Sequence, residues 1–360
     1  MIPVTQPFLP PKEDYEKKLE LIWEKKWLTN NGYYVSNLEK MLESELNVPN
    51  LKYVTNGTLA LQLAIKALDI QGDIITTPFS FVATTTSILW EKCKPVYVDI
   101  DPTTLCINPD KIESAITSNT VAILATHVFG IPCDVEKIEI IAKRHNLKVV
   151  YDGAHAFGVT YKGQSIFNYG DISTYSFHAT KVFHTVEGGG ITCISDELVT
   201  KVELLHSFGY FGEDFYLPGI NAKATEFHAA MGLCNMKYIK QNLEKRKRIS
   251  EQYNMMLPKE IQVIHIKENV GYNYAYYPVM FDSEDVLLRV ISNLQTKEIQ
   301  TRRYFYPSLN KLSYITENFD CPISESVSKR ILCLPLYVDL DEYIVKEIAD
   351  IIYSVIEGRN

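Results

Sequence analysis

The chain has no cysteines spaced C-x-x-C, and its seven cysteines, at positions 93, 106, 133, 193, 234, 321 and 333, are odd in number. That excludes a complete disulfide framework and argues against a structural metal site. Reduced, buried thiols in a cytoplasmic compartment, with no metal, are the expectation. No G-x-G-x-x-G follows the first strand-like segment, and no G-x-x-x-x-G-K-[ST] loop occurs. Neither the dinucleotide fingerprint nor the phosphate loop of nucleoside triphosphatases is therefore present. No window is apolar for long enough to cross a bilayer. The opening residues carry prolines and charges rather than the apolar stretch of a secretion leader. Positive charge is also short: 36 Lys and Arg stand against 44 Asp and Glu, a net charge of −8. A nucleic-acid binder would need a basic footprint. The basic run Lys245–Arg248 sits in a helical pattern and reads as a solvated face.

What is present is an ordinary globular composition. The chain has 360 residues, 46% of them hydrophobic and 22% charged, enough for a sizeable core and more than one structural unit. Short β-branched or aromatic runs recur at Lys52–Thr55, Ile74–Thr77, Pro95–Ile100, Ala122–His127, Lys148–Tyr151, Ser173–Phe177 and Gly190–Ile194. Helix-period spacing marks Leu59–Leu68, Pro109–Ile116 and Val135–His145 between them. This alternation predicts an α/β domain with a mostly parallel seven-stranded sheet. The stretch Ala224–Leu257, free of proline, predicts one long helix or two abutting ones. After it come strand-like Tyr274–Met280, helix-like Glu284–Leu294, strand-like Ile299–Tyr304 and a final helix over Asp341–Ile356. The expected organisation is a large domain over residues 1–244 and a small α+β domain over 245–360.

Three segments carry candidate chemistry. Asn56-Gly57-Thr58 lies between a strand and a helix, where free backbone N–H groups suit either a phosphate or a helix cap. Asp152 ends a strand, at the edge where open α/β sheets bind ligands, and His155 follows in Tyr-Asp-Gly-Ala-His-Ala-Phe-Gly. The carboxylate suits a cationic ring nitrogen or a turn, and the histidine catalysis or packing. Lys181 closes Ser176-Phe177-His178-Ala179-Thr180-Lys181, just ahead of Gly188-Gly189-Gly190. Singly each is ordinary. Together they match the needs of pyridoxal 5'-phosphate (PLP): a lysine for the Schiff base, an Asp for the pyridinium nitrogen and donors for the phosphate.

In order along the chain, Asn-Gly-Thr-Leu-Ala-Leu, Pro-Phe-Ser-Phe-Val-Ala-Thr, Tyr-Asp-Gly-Ala-His-Ala-Phe-Gly and Ser-Phe-His-Ala-Thr-Lys resemble the motifs of the nucleotide-sugar aminotransferases of PLP fold type I, the DegT/DnrJ/StrS family. Gly219-Ile220-Asn221 and Leu334-Pro335-Leu336 fit the same pattern, and the resemblance runs from Pro3 to about Tyr353. It implies that Lys181 binds the cofactor and shuttles the proton, that Asp152 pairs with the ring nitrogen and that His155 lies beside the ring. It implies Phe81 on the opposite ring face, Gly57, Thr58 and Ser176 at the phosphate, and Asn221 reaching the cofactor of a second copy in a homodimer. His155 replaces the family's frequent Gln, and Lys223 its common Arg. His184, Tyr304, Tyr306, Arg302 and Arg303 are candidates for sugar or diphosphate contacts.

The activity so implied is transfer of an amino group from L-glutamate to a nucleotide-linked keto-sugar, serving surface-polysaccharide synthesis such as O-antigen. The wording of two segments is most like the branch acting on dTDP-4-keto-6-deoxyglucose. Amination of a 3-keto isomer is the alternative. A PLP-dependent sugar dehydratase is disfavoured because that branch has His where Lys181 stands. A sensor without turnover is disfavoured by the intact Lys181–Asp152 pair, and an NAD-type oxidoreductase would lack its glycine fingerprint.

Overall fold

The computed structural model describes residues 1–358. Seven strands form the central sheet: β1 (Lys52–Val54), β2 (Asp73–Thr76), β3 (Lys94–Tyr97), β4 (Thr120–Thr126), β5 (Lys148–Asp152), β6 (Ile172–Ser176) and β7 (Gly189–Cys193). Their order across the sheet is β1-β7-β6-β5-β4-β2-β3. The five strands from β6 to β3 are mutually parallel, and β7 alone runs against its neighbours on both sides. Each of the seven strand-like runs of the sequence lies on one of these strands, with ends shifted by up to three residues.

Helices cover both faces: α1 (Lys12–Lys25), α2 (Tyr33–Leu46), α3 (Gly57–Ala67), α4 (Val82–Trp90), α5 (Val135–His145), α6 (Asp196–Leu205) and α7 (Glu226–Met236). Their starts follow capping chemistry. The Asn56 side chain accepts from Leu59 N at 2.9 Å to open α3, and Asp134 accepts from Lys137 N at 3.1 Å to open α5. In α5, Val135, Ile138, Ile141 and Ala142 form the buried stripe that its helical period requires.

Of the one long helix or two abutting ones expected over Ala224–Leu257, the chain forms two: α7 stops at Met236 and α8 runs over Ile239–Met256. Helix α8 joins two cores. Ile239 packs with the large sheet, whereas Ile249 and Tyr253 pack with a second core. That core is built on a three-stranded antiparallel sheet of β8 (Gln262–Val263), β9 (Tyr277–Met280) and β10 (Ile331–Leu334). Helices α9 (Glu284–Thr296) and α11 (Glu342–Ile356) cover it, and α10 (Pro322–Arg330) leads into β10. Among the described residues no helix is long and apolar enough to cross a membrane.

Four expectations need correction. Pro109–Ile116 is not an α-helix but two 3-10 turns, Pro109–Lys111 and Glu113–Ala115. Only Pro109 and Ile112 are fully buried there, with Ala115 and Ile116 half-buried, too little for a buried helical face. Ile299–Tyr304 makes isolated bridges, Ile299 to Ile2 and Arg302 to Cys333, rather than a strand. The first residues, assigned to the large domain, lie against the small one: Ile2 N donates to Glu298 O, and Leu336 N donates to Val4 O. Finally, Lys245–Arg248 is not one solvated face, because Arg246 is buried.

Candidate active site

The site lies at the C-terminal edge of the sheet, where β1, β2, β4, β5 and β6 all end. Asp152 is the last residue of β5 and is 5% exposed. Its Oδ1 accepts from Ala154 N at 3.0 Å, and its Oδ2 accepts from the Thr84 hydroxyl at 3.0 Å. Thr84 is itself held by Ser80, 2.7 Å away on the approach to α4. Burial pushes the Asp152 carboxyl above its ordinary range, against the pull of those two donors and of Lys181. Among the described residues Asp152 is in no ion pair.

Lys181 sits in the loop after β6, and its Nζ donates to the Tyr276 hydroxyl at 3.4 Å. Burial lowers this amine to about 8; Asp152 opposes that shift and Arg302 adds to it. Lys181 is thus within electrostatic reach of both Asp152 and Arg302. His155 is buried on the same side. Its Nδ1 accepts from Phe129 N at 3.1 Å, so the neutral ring carries its proton on Nε2. Burial holds His155 well below its ordinary value, with the charge of Lys181 adding to the effect. Its ring meets Tyr276 at 4.5 Å and lies parallel to Phe305 at 5.7 Å.

The cradle for a phosphate is the start of α3. The first N–H groups of a helix have no partner within it and favour an anion. Gly57 and the exposed Thr58 open this helix, and Ser176 ends β6 beside them. A Cβ on residue 57 would stand 3.0 Å from Ser176 Cβ and 3.2 Å from Tyr175 O. A side chain there would press on both neighbours, so glycine keeps that space open. Phe81 precedes α4 and is 48% exposed, although Phe79 and Ser80 beside it are buried. An apolar ring left open at a crevice suits a flat partner.

Not every candidate belongs to this group. His184 is buried, its Nε2 is 2.7 Å from Phe8 O and its Nδ1 accepts from Val186 N. With both nitrogens taken it ties the N-terminal segment to the core rather than offering a sugar a donor. Tyr306 is half-exposed, but the Arg303 guanidinium covers one ring face at 3.6 Å. Arg303 pairs in turn with Glu284 at 2.6 Å, so it is held on the small domain. Arg302 is exposed and lies over the Tyr304 ring at 4.5 Å. Asn221 is exposed on a segment fixed beside β1 by Thr55 N donating to Ala222 O at 2.9 Å. Thr84 and Tyr276 were not legible as site residues; one lies in a threonine run and the other in an aromatic run.

A lysine of lowered basicity, a buried carboxylate without a cation, and a helix start open to an anion are what a PLP-type site on an α/β fold requires. The model of the DegT/DnrJ/EryC1/StrS aminotransferase family matches residues 11–353. The chain belongs to that family, and it is a PLP-dependent aminotransferase. It is 42% identical to the dTDP-4-amino-4,6-dideoxy-D-glucose transaminase of Shigella dysenteriae, over 97% of this chain and 98% of that one. It is 40% identical to the Escherichia coli transaminase of the same description, over 98% of both. Among solved structures, DesI in the presence of its TDP-sugar product superposes with a TM-score of 0.94 at 27% identity, covering 99% of this chain and 94% of that one.

Proposed function

We propose that the chain transfers the amino group of L-glutamate to C4 of dTDP-4-keto-6-deoxy-D-glucose, giving dTDP-4-amino-4,6-dideoxy-D-glucose. The observation that carries the reaction class is a buried lysine of lowered basicity within electrostatic reach of the buried, unpaired Asp152 carboxyl. The choice of sugar rests on likeness along the whole chain to transaminases described by that product.

The residues present fit PLP. Asp152 is a buried carboxylate without a cation, and an unpaired buried charge is costly. A protonated ring nitrogen would satisfy it. Gly57, Thr58 and Ser176 would hold the cofactor's phosphate, and Phe81 and His155 would flank its ring. When bound, PLP supplies an electron-accepting ring. Lys181 takes a proton from the donor carbon at Nζ and returns it one position away. The lowered basicity of that amine suits it to both directions of transfer. Asp152 keeps the ring nitrogen charged. His155 cannot substitute as a base, because burial keeps its ring neutral and Phe129 N occupies Nδ1. Arg302, a cation in no ion pair among the described residues, faces the carboxylate or diphosphate of an incoming substrate.

The test is the visible spectrum of the chain mixed with PLP. A yellow band that bleaches with glutamate, and returns on adding dTDP-4-keto-6-deoxy-D-glucose, is expected. A band restored only by a 3-keto isomer would move the amination to C3. A band unmoved by glutamate would sink the transaminase reading.

A second copy of the chain completes the site in this proposal. Phe208, Tyr210, Phe211, Phe215 and Tyr216 are each at least half exposed around a short hairpin, close in sequence to Asn221. Exposed aromatic clusters of this kind mark protein interfaces. Light scattering should give a mass twice the 41.2 kDa of one chain. A monomer at working concentration would leave Asn221 without a role. Seven unpaired, buried cysteines support a reducing, cytoplasmic setting.

A further inference from the structure

An arm of four residues, Asn273–Tyr276, enters the crevice after α8 and ends on Lys181. Buried polar anchors hold it. Asn273, 1% exposed, donates from Nδ2 to His155 O at 2.8 Å and Phe157 O at 2.9 Å, and its Oδ1 accepts from Ala275 N at 3.1 Å. The Tyr272 hydroxyl donates to Phe129 O at 2.9 Å. Arg246 on α8 donates from Nε to Tyr274 O at 2.9 Å and from its terminal nitrogen to Ala275 O at 2.7 Å.

Two features show that the arm is fixed against resistance. Arg246 is buried without a carboxylate partner among the described residues, an arrangement that only good hydrogen bonds sustain. Tyr274 has φ of 50°, in the left-handed region that a side chain rarely adopts. Such a conformation persists when its surroundings over-determine it, and it clusters at functional sites. The product of this bracing is the placement of Tyr276. Its ring lies 4.5 Å from His155 and meets Tyr304 edge-on at 5.4 Å, while its hydroxyl accepts from Lys181 Nζ at 3.4 Å.

We propose that Tyr276 is a positioning residue for the transfer: its hydroxyl holds the Lys181 amine in line whenever that amine is free of the cofactor. The inference rests on Lys181 being the base of the proposed reaction. A free lysine amine sits on a stem of rotatable bonds, and misplacement by about 1 Å can cost about a hundredfold in rate. A phenol suits the task better than a carboxylate. Burial keeps Tyr276 protonated, so it offers a neutral oxygen that aims the amine without trapping its proton.

The test is Tyr276→Phe, which keeps the ring against His155 and Tyr304 and removes one oxygen. The yellow band with PLP should form as in the parent. Turnover should fall about ten- to a hundredfold, the range for one hydrogen bond to a charged group, with KM for both substrates within about twofold. The second measurement needs no cofactor: the pH dependence of Lys181 acetylation by acetic anhydride, read by mass spectrometry. The groups facing the amine are Asp152, His155, Arg302 and Tyr276, and only the last changes. The parent midpoint should lie near 8. The variant midpoint should be lower, because an acceptor for the ammonium is gone. Parent turnover together with the parent midpoint would overturn the inference. A change in KM alone would overturn it as well, by assigning Tyr276 to substrate. If the parent chain forms no yellow band, or one that glutamate does not bleach, the transaminase reading fails first.

Discussion

Lys181→Ala is expected to lower turnover by at least about 10⁴-fold, the upper range for loss of a positioned acid–base group, compounded by loss of the cofactor's attachment point. The size of the effect follows from the absence of a substitute. His155 is neutral, and Phe129 N already occupies its Nδ1. Burial keeps the Tyr276 phenol protonated. In the proposed mechanism Asp152 is committed to the ring nitrogen. No other basic nitrogen in the crevice is free to move a proton, because a guanidinium such as Arg302 stays charged. The amine also dictates a pH dependence. Cofactor capture requires the neutral amine, and burial lowers Lys181 to about 8. The rate at which the yellow band grows on mixing with PLP should therefore rise with pH up to about 8 and level off above it. An unperturbed lysine would still be gaining rate near its ordinary value of 10.5. The alanine variant should show no such band at any pH. Aminotransfer retained by that variant would refute the role of Lys181.

The sheet was legible because each strand is a short apolar run bounded by turn residues, and burial on both faces demands that pattern. The helix α4 was not. Its sequence, Val-Ala-Thr-Thr-Thr-Ser-Ile-Leu-Trp, has the β-branched character of a strand. It is a helix because its hydroxyls find partners there: Thr84 to Asp152, Thr85 to Tyr97 at 2.8 Å, and Thr86 back to Val82 O at 3.1 Å. Asp152 and Tyr97 lie outside the helix, so no local pattern reveals them. The same limit applies at the site. Lys181, Asp152, His155, Gly57 and Phe81 are proposed from motifs local to each residue. Tyr276 reaches Lys181 only through tertiary anchors on Asn273 and Arg246. The packing role of His184 is hidden in the sequence because its partner, the Phe8 carbonyl, comes from the far N-terminal segment. Arg302 and Arg303 are adjacent and alike in sequence, and only the ion pair to Glu284 separates their roles.

Asp152→Asn should slow the transfer by about 10³-fold, equivalent to about 4 kcal/mol of barrier. An amide keeps the shape and accepts from Ala154 N, but it cannot balance a positive ring nitrogen. Without that charge the ring is a poor acceptor of electrons. The same substitution has an opposite effect on the cofactor-free protein. Burial raises the folded carboxyl above its ordinary 3.8. A raised acid binds protons more tightly when folded, so stability falls as pH rises from about that value through the folded one. At neutral pH the full penalty is present. The asparagine variant removes it, and Thr84 can turn to accept from the new amide because Ser80 stands 2.7 Å away as an alternative partner. The cofactor-free variant should therefore unfold about 2 °C or more above the parent at pH 7, with the gap closing towards pH 3. With saturating PLP the order should reverse, because only the carboxylate gains an ion pair on binding. Turnover within tenfold of the parent would remove Asp152 from the ring nitrogen. A cofactor-free variant less stable than the parent at pH 7 would mean that the bonds from Thr84 and Ala154 outweigh the desolvation. The pair of melting curves thus separates a carboxylate kept for chemistry from one kept for folding, and the buried, unpaired state of Asp152 favours the first.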